Sequence, residues 1–304
     1  MPIRPLTLAL ALLAGLAGCS VNEPPAPPPT GAAVEPALMK WPALLERPRP
    51  EPDTTFRYGD AALQVVDVWL PAGSGLHPTV LMIHGGCWQS EVADRRIMNW
   101  IADDLRKRGI AVWNIDYRGV DRDGGGYPGT YLDTAAAADA LRAHAAEYRL
   151  DLSHLVAVGH SAGGHLALWL AGRRNLPSNS PLRAGTPIAI RKVVSLGGLQ
   201  DLEAAARPPG SGCGTEVIGQ ISGGGKWDET SVPRLAPLHV EQVLVNGAQD
   251  RIIPTAYASI YADKMRAKGE RVKVRMVDHT GHVELIAPET AAWKAAVEEI
   301  RSGL

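Results

Sequence analysis

Residues 155–171 read LVAVGHSAGGHLALWLA, and this stretch determines the fold that the sequence predicts. The apolar run LVAV predicts a buried strand, and the run HLALWLA predicts a helix. Between them, Gly159 and Gly163 flank Ser161 in a Gly-x-Ser-x-Gly turn. Two interpretations compete: Ser161 is a nucleophile presented at a strand-to-helix turn, or the stretch is an ordinary turn that is rich in glycine because turns are. The rest of the sequence has to decide between them.

From about residue 55 onward, apolar strands alternate with helical patterns. Strands are predicted over residues 61–71, 78–86, 110–119, 155–161, 192–198, 242–250 and 271–278, and helices over residues 93–109, 130–150, 162–174, 254–269 and 288–302. Continuous apolar runs such as VLMI and LVAV are typical of parallel strands that helices cover on both faces. The sequence therefore predicts a single α/β domain over residues 55–304, with a mostly parallel, doubly wound sheet.

Residues 199–240 interrupt this alternation with a stretch that is rich in glycine and proline. It predicts a small lid-like insertion over the strand ends, carrying Cys213 and Trp227.

The chain as a whole has 304 residues, a formal net charge of -1 and no basic stripe, so no nucleic-acid partner is predicted. The oligomeric state stays open.

The first 20 residues, MPIRPLTLALALLAGLAGCS, have the layout of an export signal. Arg4 precedes the apolar run Leu6–Leu16, which is short for a membrane span, and small residues then lead to Cys19. The stretch LAGC also resembles a bacterial lipobox. That resemblance implies a lipoprotein signal peptide over residues 1–18, removed by cleavage before Cys19, and lipid attachment to Cys19. Plain secretion with cleavage nearby is the alternative.

The lipobox resemblance also implies a location, namely a lipid-anchored protein of the bacterial cell envelope. Ser20 follows Cys19, with no aspartate there, which would favour the outer membrane in a Gram-negative cell. Residues 19–54 contain the proline-rich stretches NEPPAPPPTG and ERPRPEPD, and proline favours extended backbone. The sequence therefore predicts a semi-rigid tether over residues 19–54, with a disordered leader as the alternative.

Four polar groups follow predicted strands. They are His84-Gly85-Gly86-Cys87-Trp88 after VLMI, Ser161 after LVAV, Asp250 after QVLVNGAQ, and Asp278-His279-Thr280-Gly281-His282 after RVKVRMV. Because ligands bind at the carboxyl ends of the strands in such sheets, we expect these groups to share one edge. The order glycine-rich loop, serine, acid, histidine is that of the α/β-hydrolase fold, whose nucleophile stands on an elbow between strand and helix.

With these elements in order, the sequence resembles α/β-hydrolase serine esterases that have an HGG-x-W loop. The stretches HGGCW, GGGYPGTYLDTAAAADALR, GHSAGGHLALWLA and GHVELI resemble bacterial kynurenine formamidase-like and feruloyl-esterase-like hydrolases. The resemblance extends over roughly residues 55–302. It implies a catalytic triad and an oxyanion hole built from backbone N–H groups. The triad residues are Ser161, Asp250 and His282, and the oxyanion hole consists of Gly86, Cys87 and Ala162.

Each triad role has a chemical reason. A serine hydroxyl is a weak nucleophile at neutral pH and needs an adjacent base, which His282 provides. Asp250 orients the imidazole and stabilises its cation. Asp201, after the strand KVVSLGG, is a rival acid, and His279 is a rival base. The family pattern favours Asp250, in a G-x-x-D stretch, and His282, which directly follows a glycine.

Other residues near the serine have open roles. Trp88 is expected to line the substrate pocket, with core packing as the alternative. His160 and His84 are also included among the candidate pocket residues, although His84 is more suited to shaping its loop by hydrogen bonding. His160 and His165 lack metal-ligand partners at suitable spacing, so neither a metal nor another cofactor is predicted.

Cys87 departs from the residues that relatives usually carry at this position. With Cys19 accounted for by lipidation, two cysteines remain, and an exported protein is oxidised. Cys87 either pairs with Cys213, which would link the oxyanion loop to the insertion, or is a free thiol in the pocket.

The function predicted from these residues is hydrolysis of small or aryl carboxylic esters through an acyl-enzyme, that is, a serine carboxylesterase with a small-molecule substrate. An arylformamidase acting on N-formylkynurenine-type amides is the alternative, although kynurenine breakdown is cytoplasmic and suits an exported protein poorly. A binding module on a non-catalytic hydrolase scaffold is a remote third reading. The natural substrate and the acyl preference are not specified by the sequence.

Overall fold

The computed structural model describes residues 37–183 and 185–304. The predicted signal peptide, Cys19 and the first part of the predicted tether lie outside these residues. The strands in the described part are β1 (Thr54–Arg57), β2 (Val65–Trp69), β3 (His77–Ile83), β4 (Ala111–Ile115), β5 (Leu150–His160), β6 (Lys192–Leu196), β7 (Glu241–Gly247) and β8 (Val272–Val277). The helices are α1 (Trp41–Leu45), α2 (Asn99–Lys107), α3 (Gly126–His144), α4 (Ala162–Gly172), α5 (Leu202–Ala205), α6 (Thr215–Ile221), α7 (Trp227–Thr230), α8 (Ala256–Arg266) and α9 (Ala291–Arg301).

The strands form one sheet in the order β1-β2-β4-β3-β5-β6-β7-β8. β1 and β2 pair antiparallel at one edge, and the six strands from β3 to β8 are parallel to one another. The mostly parallel, doubly wound sheet predicted from the sequence is therefore confirmed. The register pairs Ile83 with Gly159, His160 with Leu196, and Gly247 with Val277, so the carboxyl ends of these strands lie at one edge.

Helices cover both faces of this sheet. Apolar side chains of α3, α4 and α8 form one core with the sheet, and those of α2 and α9 form a second core on the opposite face. In β3, Leu81 and Ile83 belong to the first core, whereas Val80 and Met82 belong to the second. Because both faces are buried, the strand needs apolar residues at every position, which explains the unbroken run VLMI.

The folded unit begins earlier than predicted. Residues 37–54 form one compact unit with the rest of the domain, so their assignment to the tether is wrong. Leu44 of α1 is fully buried, and the Trp100 indole N–H donates a hydrogen bond to the Pro48 carbonyl at 3.1 Å. Proline content indicates extended backbone, but it does not reveal that such backbone is packed on a domain.

The predicted insertion over residues 199–240 is folded into short helices that pack on the domain. It contains α5, α6 and α7, and Ile218 and Ile221 of α6 are fully buried in the first core. Its glycines Gly210, Gly214 and Gly223 have positive φ angles, which glycine adopts without strain, so the glycine content reflects tight turns between short helices. Within the described residues, no helix is both long and apolar enough to span a membrane.

Candidate active site

Ser161 occupies a sharp turn between β5 and α4. Its backbone has φ 53° and ψ -119°, a conformation that a residue with a side chain seldom adopts. The Ser161 N–H donates to the carbonyl oxygen of Leu196 at 2.8 Å, which fastens the turn to β6. A strained residue held this way at the end of a central strand is the geometry of a nucleophile elbow.

The glycines around Ser161 are required by close backbone contacts. A Cβ atom at Gly159 would lie 2.0 Å from the Gly163 carbonyl oxygen, and one at Gly163 would lie 2.1 Å from the Ile83 carbonyl oxygen. A Cβ at Gly85 would lie 2.9 Å from the Ser161 Cβ, so the loop after β3 passes directly beside the serine. Any side chain at these positions would displace the turn, which gives the Gly-x-Ser-x-Gly pattern its physical reason.

A hydrogen bond joins His282 to Asp250 at the same edge of the sheet. Nδ1 of His282 lies 2.6 Å from Oδ2 of Asp250, and both residues are buried. The other oxygen, Oδ1, accepts the N–H groups of Ile252 at 2.8 Å and Ile253 at 2.9 Å. The carboxylate is therefore held on both sides, and an imidazole oriented in this way exposes its other nitrogen, Nε2, for proton transfer.

The rival acid and the rival base are placed elsewhere in the fold. Asp201 caps α5 by accepting the Ala204 N–H at 3.1 Å, and its other oxygen lies 2.6 Å from Nζ of Lys264. His279 is exposed, with a positive φ of 50° in the turn after β8. Asp250 and His282 are the pair that the structure brings together, whereas Asp201 and His279 are not part of it.

The loop after β3 is held in place by a buried polar cluster. His84 contacts the carbonyl oxygen of Gly85 at 2.6 Å and Oδ1 of Asp116 at 3.0 Å, and it stacks on Tyr117 with ring centroids 4.3 Å apart. The Tyr117 hydroxyl donates to the His84 carbonyl at 3.0 Å. His84 therefore shapes the loop from behind and does not line the substrate cavity, which corrects its inclusion among the pocket residues.

Trp88 is likewise buried behind the loop rather than in the pocket. Its side chain is fully buried and makes an edge contact with His165, at 5.4 Å between ring centroids. The expectation that Trp88 lines the cavity is therefore wrong, and its core-packing alternative is correct.

Burial lowers the pKa of His165 to about 4, and its Nε2 bonds the Thr230 carbonyl at 2.8 Å, so His165 is a neutral packing residue.

His160 does line the cavity, next to His282. Its ring centroid is 4.4 Å from that of His282, and its Nε2 lies 3.2 Å from the His282 carbonyl oxygen. Burial, and secondarily the nearby His282, lowers the pKa of His160 well below its usual value. A neutral His160 places no positive charge beside the ring of His282.

A disulfide joins Cys87 to Cys213, with the Cα atoms 5.3 Å apart. Of the two alternatives for Cys87, the structure contains the bonded one. Cys87 has a positive φ of 51° and follows Gly86, at φ 107°, in the loop beside Ser161. The bond therefore fixes this loop, whose N–H groups are the candidate oxyanion donors, to the insertion. Ala162, the third candidate donor, is the first residue of α4.

These residues surround a cavity of about 430 Å³. Ser161, His160 and His282 line it together with Gly86 and Cys87. The remaining lining residues are Trp41, Leu45, Gln89, Val92, Ala93, Ile97, Gly212, Cys213 and Ile252. Among these described residues there is no lysine, arginine, aspartate or glutamate, so the cavity suits an uncharged, partly apolar ligand.

Sequence reasoning missed several residues of this site. Trp41 and Leu45 line the cavity although they precede the expected domain boundary. Gly197, at φ 55°, stands so close to the pair that a Cβ there would lie 3.2 Å from Oδ2 of Asp250 and 3.3 Å from Cε1 of His282. Its position directly after β6, at the edge where the other site residues meet, is the signal that could have found it. In the described part of the chain, no cluster of three or more His, Cys, Asp or Glu could hold a metal ion.

The sheet and the strand-to-helix serine turn define an α/β-hydrolase. Residues 66–265 match the family model described as BD-FAE, and the chain therefore belongs to that family. A curated protein of Nocardia uniformis subsp. tsuyamanensis, named "Putative esterase NocK", is 33% identical over 181 residues. That match takes in 54% of this chain and 51% of the relative, so the chain spans about half the length of the curated protein.

Solved structures share the fold at low sequence identity. Esterase B from Lactobacillus rhamnosis superposes with a TM-score of 0.69 at 19% identity, over 84% of this chain and 87% of that one. A truncated carbohydrate esterase from gut microbiota gives a TM-score of 0.65 at 19% identity, over 83% and 96%. At such identities these similarities establish the α/β-hydrolase fold.

Proposed function

We propose that this protein is a serine hydrolase that cleaves uncharged carboxylic esters of small or aryl groups through an acyl-enzyme. The observation that carries the proposal is that His282, hydrogen-bonded to Asp250, lines the same cavity as Ser161 on its strained turn. The similar proteins described above are named esterases, and their names support the same reaction class.

The proposed reaction has two steps. His282 removes the proton from Oγ of Ser161, which attacks the ester carbonyl, and the same imidazole then protonates the departing alcohol oxygen. The acyl group stays on Ser161. A water molecule, deprotonated by His282, attacks this acyl-enzyme and releases the carboxylic acid together with the free serine. Asp250 keeps the imidazole in the required tautomer throughout.

The negative charge that develops on the carbonyl oxygen needs hydrogen-bond donors. We assign this role to the backbone N–H groups of Gly86, Cys87 and Ala162, because the first two line the cavity and the third opens α4 beside Ser161. The N-terminal end of a helix also carries a partial positive charge that favours an anion. Losing one such donor costs about 3 kcal/mol of transition-state stabilisation.

The uncharged lining bears on the arylformamidase alternative. N-formylkynurenine carries an α-ammonium and an α-carboxylate group, and burying either without a charged or hydrogen-bonding partner is costly. The described lining residues include no lysine, arginine, aspartate or glutamate that would form an ion pair with these groups. A neutral ester meets no such penalty, so the cavity favours the esterase over the amidase.

A substrate comparison on the full-length protein tests the proposal. We expect p-nitrophenyl acetate, p-nitrophenyl butyrate and methyl ferulate to be hydrolysed with a higher kcat/KM than N-formylkynurenine. Ser161→Ala should abolish turnover, whereas Ser153→Ala, which alters an exposed serine, should not. An N-formylkynurenine preference of about a hundredfold, or about 2.7 kcal/mol, would replace the esterase with the amidase. Undiminished activity in Ser161→Ala would reject a serine mechanism, and an inactive wild type would favour a binding module.

We also propose that the protein acts outside the cytoplasm, held in the cell envelope by a lipid on Cys19. The export-signal layout and the LAGC stretch support this location. The disulfide between Cys87 and Cys213 agrees with it, because such bonds persist mainly in oxidising compartments.

A further inference from the structure

The mouth of the catalytic cavity is bordered by exposed apolar side chains. The large apolar residues exposed in the described part of the chain are Leu45, Leu76, Val92, Ile252, Ile260 and Met276. Three of these six, Leu45, Val92 and Ile252, line the cavity. The grouping of these three side chains at one opening indicates a ligand-contacting collar.

One side of this collar comes from a segment outside the region that matches the family model. Trp41 and Leu45 lie in α1, whereas the BD-FAE match begins at residue 66. The wall that α1 contributes is therefore an addition to the matched hydrolase scaffold. A wall that lies outside the matched region is suited to selecting substrates rather than to carrying the reaction.

The segment that carries α1 is firmly attached to the catalytic loop. The Met39 N–H donates to Oε1 of the buried Glu284 at 2.5 Å, and Oε2 of the same carboxylate accepts the Gly281 N–H at 3.1 Å. Glu284 thus links the segment to the residue directly before His282. On the far side of α1, Arg47 pairs with Glu289 at 2.5 Å. The position of Trp41 relative to His282 is therefore set by the fold.

The chemistry of the triad identifies which part of an ester meets this wall. His282 must reach the leaving-group oxygen to protonate it, so the alcohol part of the substrate lies over the imidazole. Trp41 makes edge contacts with the rings of His282, at 6.4 Å between centroids, and His160, at 6.3 Å. The wall formed by Trp41 and Leu45 consequently borders the alcohol side of the site.

We propose that Trp41 and Leu45 bind the alcohol part of the substrate and select esters of apolar, aryl-type alcohols. This inference rests on the proposed function and names the substrate class for it. An aryl group here would gain both apolar burial and an aromatic contact with the Trp41 ring. Trp41 acts as a specificity residue and takes no part in proton transfer.

The test varies the alcohol and acyl parts separately in the full-length protein. At constant acetyl group, the kcat/KM ratio of phenyl acetate to methyl acetate measures alcohol selection, and comparing variants cancels the different intrinsic reactivity of the two esters. We expect this ratio to fall about tenfold in Trp41→Ala and to be largely retained in Trp41→Phe. At constant leaving group, the ratio of p-nitrophenyl butyrate to p-nitrophenyl acetate should not change.

Control variants separate this inference from folding defects and from the proposed function. Trp227→Ala removes a part-buried tryptophan outside the catalytic cavity, and Leu76→Ala matches Leu45→Ala; both controls should retain the phenyl-to-methyl ratio. Leu45 is 41% exposed, so Leu45→Ala should fold even where Trp41→Ala does not, and it should lower the ratio about threefold. If Ser161→Ala is inactive but Trp41→Ala and Leu45→Ala leave the phenyl-to-methyl ratio unchanged, or shift the acyl ratio instead, the inference is wrong and the proposed function stands. Activity that survives in Ser161→Ala overturns the proposed function itself.

Discussion

At the scale of single residues, the site depends on how tightly the acid of the candidate triad is held. Oδ2 of Asp250 bonds the imidazole of His282, and Oδ1 accepts two backbone N–H groups. These three contacts leave the carboxylate little freedom to rotate away from the histidine. An acid positioned by backbone can fix the imidazole tautomer without the help of another side chain.

Replacing Asp250 tests this role against a matched buried aspartate. Asp250→Asn keeps the shape but favours the wrong imidazole tautomer, so we expect kcat/KM to fall about 10⁴-fold with little change in KM. Asp201→Asn can still accept the Ala204 N–H at the start of α5 but loses the ion pair with Lys264, so it should lower stability slightly instead and leave kcat/KM within about threefold. Steady-state kinetics on p-nitrophenyl acetate, with a thermal melt of each variant, distinguishes the two. Similar kinetic losses in both variants would count against Asp250 as the triad acid.

The buried histidine His165 makes a prediction about stability and pH. In the unfolded chain it binds a proton below about pH 6.5, whereas burial lowers its pKa in the folded protein to about 4. Between these values the unfolded state holds more protons, so lowering the pH lowers the free energy of unfolding, by up to about 3 kcal/mol from this group. Denaturant titrations from pH 7 to pH 4 should show a shallower pH dependence in His165→Gln than in the wild type.

The buried His160 contributes in the same direction, so part of the pH dependence should persist in His165→Gln. His154→Gln, which removes an exposed histidine, is the matched control. If that control flattens the curve as much as His165→Gln does, burial of His165 is not the source of the effect.

The sequence predicted the positions of the candidate triad residues better than the directions of the side chains around them. The serine, the acid and the histidine each follow a strand, and the end of a parallel strand fixes where a residue stands. Trp88 also follows a strand, yet it turns into the core, because after β3 the chain takes positive φ values at Cys87 and Trp88. Backbone turns of this kind redirect side chains, and the local residue pattern does not encode that direction.

At the scale of elements, the loop after β3 is secured from two sides. His84, Asp116 and Tyr117 hold it from the core, and the disulfide to Cys213 holds it from the insertion. The proposed oxyanion donors Gly86 and Cys87 lie between these two attachments. Catalytic hydrogen-bond donors work best when their positions are fixed before the reaction begins, so in the proposed mechanism the disulfide would support catalysis as well as stability.

Breaking the disulfide should therefore affect stability and catalysis together. The bond connects residues 126 positions apart, and its loss should cost about 2–5 kcal/mol of unfolding free energy. With the Cys87 N–H less well positioned, kcat/KM should fall by up to about a hundredfold. Cys87→Ser, Cys213→Ser and the double variant should show the same loss, because each removes one and the same bond. A larger loss in Cys87→Ser alone would indicate a separate role for its sulfur.

Element prediction from the sequence succeeded where periodicity was strong. The seven expected strands all have counterparts in β2 to β8, and the five expected helices have counterparts in α2, α3, α4, α8 and α9. The four-residue β1 and the helices α1, α5 and α7, of four or five residues, are too short to show a period. They form because tertiary contacts stabilise them, such as the burial of Leu44 in α1.

At the scale of the whole molecule, the chain combines an α/β-hydrolase scaffold with an N-terminal segment that has two proposed tasks. Its described part, from residue 37, packs on the domain and supplies Trp41 and Leu45 to the cavity. Its preceding part carries Cys19, the proposed site of the lipid. The same stretch of chain would therefore set both the location of the enzyme and the alcohol that it accepts.

Export, lipidation and the disulfide should be linked in the cell. Cys19→Ala should move the protein from the membrane fraction to the soluble fraction without changing kcat/KM, because Cys19 precedes every residue that lines the cavity. A chain that lacks residues 1–19 and stays in the reducing cytoplasm should contain Cys87 and Cys213 as free thiols. Fractionation together with mass spectrometry after thiol alkylation measures both effects, with the wild type as reference. A Cys19→Ala protein that has lost residues 1–18 and still remains in the membrane fraction would rule out lipid attachment as the anchor. A disulfide in the cytoplasmic chain would show that the bond does not require export.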